Sequence, residues 1–246
     1  MTRRARIGLF LAAAPVFAAT LFWGLTGLPD FGAYHHAYGN VLNAIVVPKR
    51  HTTNVVGAVV FDVRGFDTMG EEFILFASVM GVTLLLRETR EGSERDWPRD
   101  EATNDGVRLV GLLMVPVTVL LGLWLVSFGY VTPGGGFQGG VALAGGLILL
   151  WAAGSYRSYR HASPPPLVDL VEGVGAGGYV VIGLAAVLSG LAFLENLLGP
   201  GKTGTLWSGG SIAFLNWSSA LEVAAANVLL FHEFLKEYVP MLREQV

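Results

Sequence analysis

Six long apolar runs constrain the fold of this chain more than any other feature. They cover residues 7–28, 67–86, 109–131, 134–154, 167–194 and 215–238. A transmembrane helix needs about 20 predominantly apolar residues. Charged residues make up only 14% of the chain, against about 25% in soluble domains. The sequence therefore predicts an all-α polytopic membrane protein with about six transmembrane helices.

The composition also excludes several kinds of site. The chain has no cysteine, which excludes thiol catalysis, disulfides, iron–sulfur ligation and cysteine-bound zinc. Its net charge of −3 comes without a basic stripe, so we expect no nucleic-acid binding. Residues 29–53 hold His35, His36 and His51, but no acidic residue or cysteine stands at ligand spacing. We therefore interpret this segment as a solvated polar connection, and predict no metal site and no cofactor.

The segment 54–72 is predicted to be broken or re-entrant. Val55–Phe61 and Phe73–Leu86 are apolar but short, and five ionisable residues lie between them. Such groups are costly in lipid. Either the first piece is a short re-entrant or surface segment before a crossing helix at Asp67–Leu86, or one crossing helix is broken at Arg64–Gly65. Both arrangements give an odd number of crossings.

Carboxylates inside the apolar runs are the candidate groups for an ion or proton pathway. On a helix, Asp67 and Glu71 share a face, and Arg64 lies one turn before Asp67 as its charge partner. The alternative is a helix N-terminus at the membrane surface, capped by these acidic residues. Farther along the chain, His232 and Glu233 are interpreted as an interfacial cluster. The full candidate set for the pathway is Asp67, Glu71, Glu72, Glu172 and Glu222.

Glycines provide two candidate faces for close helix packing. Pro133 suits the first turn of a helix, and the glycines after it leave a surface without side chains, which lets another helix approach closely in a membrane. A GxGxxG pattern at 173–178 lies within an apolar run with no strand before it, so we reject a dinucleotide site. The predicted packing residues are Pro133, Gly135, Gly136, Gly139, Gly140, Gly173 and Gly177.

Lysine and arginine positions predict the orientation in the membrane. With a cytoplasmic N-terminus, twelve basic residues fall in inside segments and three in outside segments, while Arg64 is ambiguous. Cytoplasmic loops carry the excess of Lys and Arg, so both termini are predicted to be cytoplasmic. The basic start and apolar run at 7–28 also fit a signal peptide, but we expect an uncleaved first helix.

Two motifs resemble known families. PGGGFQGG (133–140) and LNWSSALEVAAANVLLFHEFL (215–235) resemble the B subunit (MnhB domain) of the multisubunit Mrp/Mnh Na⁺/H⁺ antiporters, over roughly residues 105–240. VVGAVVFDVRGFDTMGEEFILFASVMGVTLLLRE (55–88) is similar to the hydrogenase E-type segment at the C-terminus of the A-type antiporter subunit. The resemblance implies three parts: an A-tail-like module at 1–88, a charged linker at 89–108 and a four-helix MnhB-like domain at 109–240.

This resemblance implies a non-enzymatic subunit of a cation/proton antiporter in a bacterial or archaeal cell membrane. It would assemble with A-, C-, D-, E-, F- and G-type subunits, and its carboxylates would help to conduct Na⁺ or H⁺. The same modules occur in energy-converting hydrogenases and complex-I-related redox pumps, so a redox complex is the first alternative. The second is a structural scaffold without an ion site.

Overall fold

The computed structural model describes residues 3–28, 30, 32, 37–87, 104–154 and 156–243, which are mainly helical and contain no β-strand. The helices are α1 (Arg3–Thr26), α2 (Ala37–Arg50), α3 (Val55–Ala58), α4 (Gly65–Arg87), α5 (Asp105–Ser127), α6 (Gly136–Ala153), α7 (Tyr156–Ala162), α8 (Pro165–Leu188) and α9 (Ser211–Arg243). Contacts divide the chain into two compact units, Met1–Val41 and Leu42–Val246. The first unit contains α1 and the start of α2.

Six of these helices are long and apolar enough to cross a membrane, as the sequence predicted. The spans are Ile7–Thr26, Gly65–Leu86, Asp105–Ser127, Gly136–Ala153, Pro165–Leu188 and Ser211–Leu235. The chain is therefore an all-α polytopic membrane protein, and the side on which its termini lie stays a prediction. Two helices were predicted to extend too far along the chain. α5 ends at Ser127 and α8 ends at Leu188, and a turn follows each of them.

The segment before α4 is a helix with a break. α3 continues into a π-helical turn at Val59–Val63, and the backbone leaves the helix at Arg64 before α4 begins at Gly65. The π turn and α4 are tied together by Thr68, whose hydroxyl donates to the Val60 carbonyl oxygen over 2.7 Å. All three pieces contact α9. The interrupted segment therefore follows one neighbouring helix, while α4 alone is long enough to cross a membrane. The choice between a broken crossing helix and a short piece before a crossing helix stays a prediction.

The connection at 29–53 is not only a solvated loop, and that interpretation was wrong for its second half. Ala37–Arg50 forms α2, which buries Leu42 and Val46. These two residues are four apart and so share one helical face, and burial of this face stabilises the helix. His35 and His36 lie outside the described residues, as do residues 88–103 of the predicted linker region.

Helix α9 is the centre of the second unit, where it contacts α4, α5, α6 and α8. Its side chains pack into two apolar clusters at different heights. The first cluster comprises Val46, Ala58, Phe61, Tyr130, Tyr179, Leu194, Ile212 and Leu215. The second cluster comprises Val79, Ala144, Tyr159, Val168, Ala225, Ala226, Val228, Leu229 and Leu235. The stretch of α9 between Leu215 and Ala225 separates them, and it carries the polar residues described next.

Candidate functional site

Three glutamate side chains are buried where α4, α8 and α9 meet. The exposed fraction is 2% for Glu72, 3% for Glu172 and 0% for Glu222. Glu222 lies at the middle of the 25-residue span Ser211–Leu235. Since α9 rises about 1.5 Å per residue, this carboxyl group is about 18 Å from either end of the span. Glu72 and Glu172 each lie seven residues, or about 10 Å, from one end of their own spans, so all three carboxyl groups lie within the membrane-spanning part.

The three carboxyl groups lie close to one another. Glu72 is the acidic side chain next to Glu222, and Glu172 is the second acidic neighbour. No hydrogen bond of good geometry forms, however: five of the six carboxyl oxygens are buried without a hydrogen-bond partner among the described residues. We call Glu72, Glu172 and Glu222 the buried carboxylate cluster.

Each member of the cluster lies between the two apolar clusters on its own helix. On α9, Glu222 falls between Leu215 and Ala225, and on α8, Glu172 falls between Val168 and Tyr179. Glu72 occupies the same interval on α4, after Phe61 of the π turn and before Val79. The apolar layers above and below exclude water and screen the carboxyl groups little.

The chemistry of such a cluster follows from its surroundings. An unpaired carboxylate in a low-dielectric site is costly, and no basic side chain of the described residues pairs with these three. The site is thus a set of buried acidic groups without a basic partner among the described residues, and its role in ion or proton transfer stays a prediction.

Helix packing fixes the position of the cluster. A Cβ atom at Gly175 would lie 2.8 Å from the Cα atom of Glu222, and one at Gly178 would lie 2.8 Å from the Ser218 hydroxyl oxygen. α8 and α9 therefore approach backbone to backbone at the height of the cluster. Above it, the Tyr179 hydroxyl donates to the Gly65 carbonyl oxygen over 3.0 Å and holds the start of α4 against α8.

The predicted carboxylates divide into two groups. Asp67 and Glu71 are exposed on α4, whereas the other three candidates form the buried cluster. Arg64 pairs with Asp67 as predicted from the spacing, at 2.5 Å, with both side chains at least half exposed. A second ion pair joins Arg50 to Asp62 at 2.6 Å, and there the carboxylate side chain is only 5% exposed.

The glycines after Pro133 lie against two neighbouring helices. A Cβ at Gly136 would lie 2.8 Å from the Ser219 Cβ, and one at Gly140 would lie 2.8 Å from the Ala220 carbonyl oxygen, both on α9. Gly139 faces α5 instead, with the Gly122 carbonyl oxygen at 2.9 Å from such an atom.

The turn before α6 also requires glycine. Gly134 and Gly135 adopt φ of 153° and 152°, which side chains disfavour. Pro133 was predicted to lie in the first turn of the helix. It lies instead in the loop before the helix, since α6 begins only at Gly136.

The second glycine face is displaced from its predicted position. Gly173 and Gly177 have no neighbour within 4 Å of a Cβ position. The contact between α8 and α9 uses Gly175 and Gly178, so the packing predicted for Gly173 and Gly177 is not made within the described chain.

A second buried polar group was assigned to the membrane interface by sequence reasoning. The exposed fraction is 3% for His232 and 5% for Glu233. The His232 Nε2 atom lies 3.3 Å from the Ser163 hydroxyl, and its ring packs edge-on against Tyr159. Burial raises the pKa of the Tyr159 hydroxyl. These contacts bury this second group against Tyr159 of α7 and Ser163 after it. Its two residues lie near the end of the α9 span, which closes at Leu235, and its interfacial depth stays a prediction.

Comparison with known proteins gives a family match. Residues 107–229 match the sequence model of the "Domain related to MnhB subunit of Na+/H+ antiporter". An uncharacterised protein of Methanocaldococcus jannaschii is 31% identical over 202 residues, which cover 74% of this chain and 71% of that protein. A probable K⁺/H⁺ antiporter A/B subunit of Rhizobium meliloti is 34% identical over 127 residues. That match covers 43% of this chain but only 13% of the much longer relative.

Two solved structures share the fold. A chain of the membrane-bound sulfane sulfur reductase, an archaeal respiratory membrane complex, superposes with a TM-score of 0.69 and 27% identity, covering 94% of this chain and 98% of that one. A chain of the Mrp complex from Dietzia sp. DQ12-45-1b superposes with a TM-score of 0.65 and 23% identity. It matches 95% of this chain but only 26% of its own length, so the fold forms one part of a larger subunit there.

Proposed function

The chain belongs to the family of domains related to the MnhB subunit of Na⁺/H⁺ antiporters, and we propose that it is an integral membrane subunit of a multisubunit monovalent cation/proton antiporter. It is a multi-pass protein of the cell membrane and works together with the A-, C-, D-, E-, F- and G-type subunits of such a complex. Its own contribution is to transport and assembly, and we expect no chemical conversion by this chain.

The buried carboxylate cluster carries the proposal. Glu72, Glu172 and Glu222 are ionisable groups buried within the membrane-spanning part, and no basic side chain of the described residues neutralises them. Ionisable residues inside a bilayer generally mark ion or proton routes. The cluster is closed above and below by apolar side chains, so exchange with water or with a neighbouring subunit requires a transient opening.

The test is transport by the intact complex in vesicles. Glu72→Gln and Glu222→Gln keep the side-chain size and remove the titratable group, so Na⁺- or K⁺-dependent proton exchange should fall by roughly tenfold or more if a proton relay is interrupted. Asp105→Asn is the matched control, because this carboxylate is exposed at the first turn of α5. Unchanged exchange by both glutamate variants, in complexes of normal subunit composition, would leave the cluster with a structural role only.

The near-complete match to the archaeal respiratory complex favours a second candidate. A chain of that complex is covered over 98% of its length, whereas the antiporter chain is about four times longer than the matched part. In this case the same fold would serve a redox-driven ion pump, as in energy-converting hydrogenases or complex-I-related enzymes. Purification from native membranes distinguishes the two, since iron–sulfur or other redox subunits would accompany the chain only in the second.

A further proposal concerns the origin of the two parts of the chain. The broken helix and α4 correspond to the segment that resembles the tail of an A-type antiporter subunit, and α5 to α9 correspond to the MnhB-like domain. We propose that the chain joins these two modules. The Rhizobium relative is named for both types, A and B, which supports a junction of the two modules in one chain. Separate expression of residues 1–88 and 104–246 should reconstitute the complex if the connection between them is only a tether.

A further inference from the structure

Helix α4 presents an outward face that differs from the face buried against α9. Its buried side is formed by Thr68, Glu72 and Val79. A second side, about 100° away around the helix axis, is largely exposed, with Ile74 at 69%. The residues of this outward face are Asp67, Gly70, Glu71, Ile74, Ser78 and Gly81.

The outward face carries a carboxylate inside the membrane span. Glu71 lies six residues, or about 9 Å, from the Gly65 end of the span Gly65–Leu86. It directly precedes Glu72, so the two differ by about 1.5 Å along the helix axis. Glu71 therefore lies at the height of Glu72, but its side chain points about 100° away from that of Glu72 around the α4 axis.

No group in the described chain compensates the charge of Glu71. Its carboxylate is exposed and makes neither a hydrogen bond nor an ion pair with any residue that the structure describes. The nearby Arg64 already pairs with Asp67. Contact of such a carboxylate with lipid is costly, so intramembrane acidic residues face other protein or a water-filled cavity and pair with a group of opposite charge.

The same face is shaped for close approach of a helix. A Cβ at Gly70 or Gly81 would meet no atom within 4 Å, and Ser78 also has a small side chain. Small residues at helix interfaces allow backbones to approach and to pack closely in membranes. The small residues thus fit a closely packed helix, and the charge of Glu71 fits a basic side chain on that helix.

We propose that the outward face of α4 is the docking surface for a transmembrane helix of another subunit that carries a lysine or arginine at the depth of Glu71. This inference rests on the proposed function, because it requires a multisubunit membrane complex. It deepens that function by naming the contact face and the chemistry of the partner helix. The basic side chain would neutralise Glu71 and leave the buried carboxylate cluster, on another face of α4, uncompensated.

Site-directed cross-linking in the intact complex tests the contact. The chain has no native cysteine, so Ile74→Cys and Ser78→Cys each introduce a single attachment point for a maleimide benzophenone. Leu120→Cys, on the 65% exposed side chain of α5, is the control on another apolar surface. After illumination, mass spectrometry should locate adducts of both α4 variants on one transmembrane helix with a Lys or Arg, and the control should not label that helix.

Three results would overturn the proposal: adducts of the α4 variants with lipid only, adducts with a second copy of this chain, or adducts with a helix that has no basic residue in its span. Subunit composition is measured first in the same preparations. If the chain is purified with the expected subunits and the α4 variants still label only lipid, the docking surface is wrong while the proposed function stands. If the chain is purified without any other protein of a membrane complex, both proposals fail.

A charge exchange tests the chemistry of the contact. Glu71→Lys should reduce co-purification of the cross-linked subunit by about tenfold or more, because it places two like charges together. The reverse change of the partner's basic residue to Glu should restore it. Lack of rescue, with the Glu71→Lys chain correctly inserted, would contradict the pairing.

Discussion

The contact between Gly175 and Glu222 makes a sharp prediction about stability. Gly175→Ala adds one methyl group at the point where α8 and α9 approach backbone to backbone. That methyl carbon would lie 2.8 Å from both the Cα and the Cβ of Glu222, whereas ordinary contact begins at 3.4 Å. The Glu222 backbone nitrogen would be closer still, so the two helices must separate by about 1 Å, or one of them must tilt.

The expected cost follows from the helix separation. Overpacking a well-packed interior costs about 1–3 kcal/mol. An overlap with backbone atoms belongs at the upper end of that range, about 2–3 kcal/mol, and the higher helix propensity of alanine returns about 1 kcal/mol. A net loss of about 1–2 kcal/mol should lower the apparent melting temperature by roughly 2–8 °C for a chain of this size. Separation of α8 from α9 would also loosen the packing around the buried carboxylate cluster, so we expect transport to decline in the same variant.

The assay is thermal stability of the fluorescent-tagged chain in its detergent-solubilised complex, followed by size-exclusion chromatography after heating. Gly177→Ala is the matched control on the same helix, because a Cβ there meets no atom within 4 Å. A Gly175→Ala chain with the melting temperature of the parent would refute the close contact. An equal loss in Gly177→Ala would instead reveal a contact of that glycine with another subunit.

Two further predictions concern groups outside the buried carboxylate cluster. Arg50→Ala should destabilise the chain by about 1–3 kcal/mol, because it leaves the 5% exposed side chain of Asp62 without its partner. Arg64→Ala should cost less than about 1 kcal/mol in the same thermal assay, because both side chains of its ion pair are exposed. Burial raises the pKa of Tyr130, whose hydroxyl donates to the Leu206 carbonyl oxygen over 2.7 Å. The folded form thus keeps its proton at a pH where the unfolded chain loses it, so this stabilisation is complete below about pH 10 and is lost as the pH rises further. Tyr130→Phe should show a smaller loss of stability between pH 9 and 11, and an unchanged slope would contradict this assignment.

The membrane spans could be predicted from sequence because length and apolar composition are sufficient to identify a crossing helix. The incorrect predictions fell in segments whose conformation depends on tertiary contacts. Val41–Val47 is an apolar stretch within a segment of Tyr, His and Asn, and its helical spacing at Leu42 and Val46 was hidden by the polar composition around it. A break at Arg64–Gly65 was one of two arrangements that the ionisable residues suggested, and the backbone does leave the helix at Arg64. Nothing in the sequence indicated, however, that α3, the π turn and α4 all contact α9.

Helical phase is the part that the sequence did not specify. In a soluble protein the apolar stripe of a helix shows which side faces the core. In a membrane helix both the lipid-facing and the protein-facing sides are apolar, so composition carries little information about rotation. Adjacent residues on a helix point about 100° apart, which sends Glu72 into the buried cluster and Glu71 to the outside. The same rotation makes Gly175 the contact on α8 and leaves Gly177 open. A charge next to a small residue on one exposed face, as at Gly70 and Glu71, is therefore informative only once the depth and direction of that face are known.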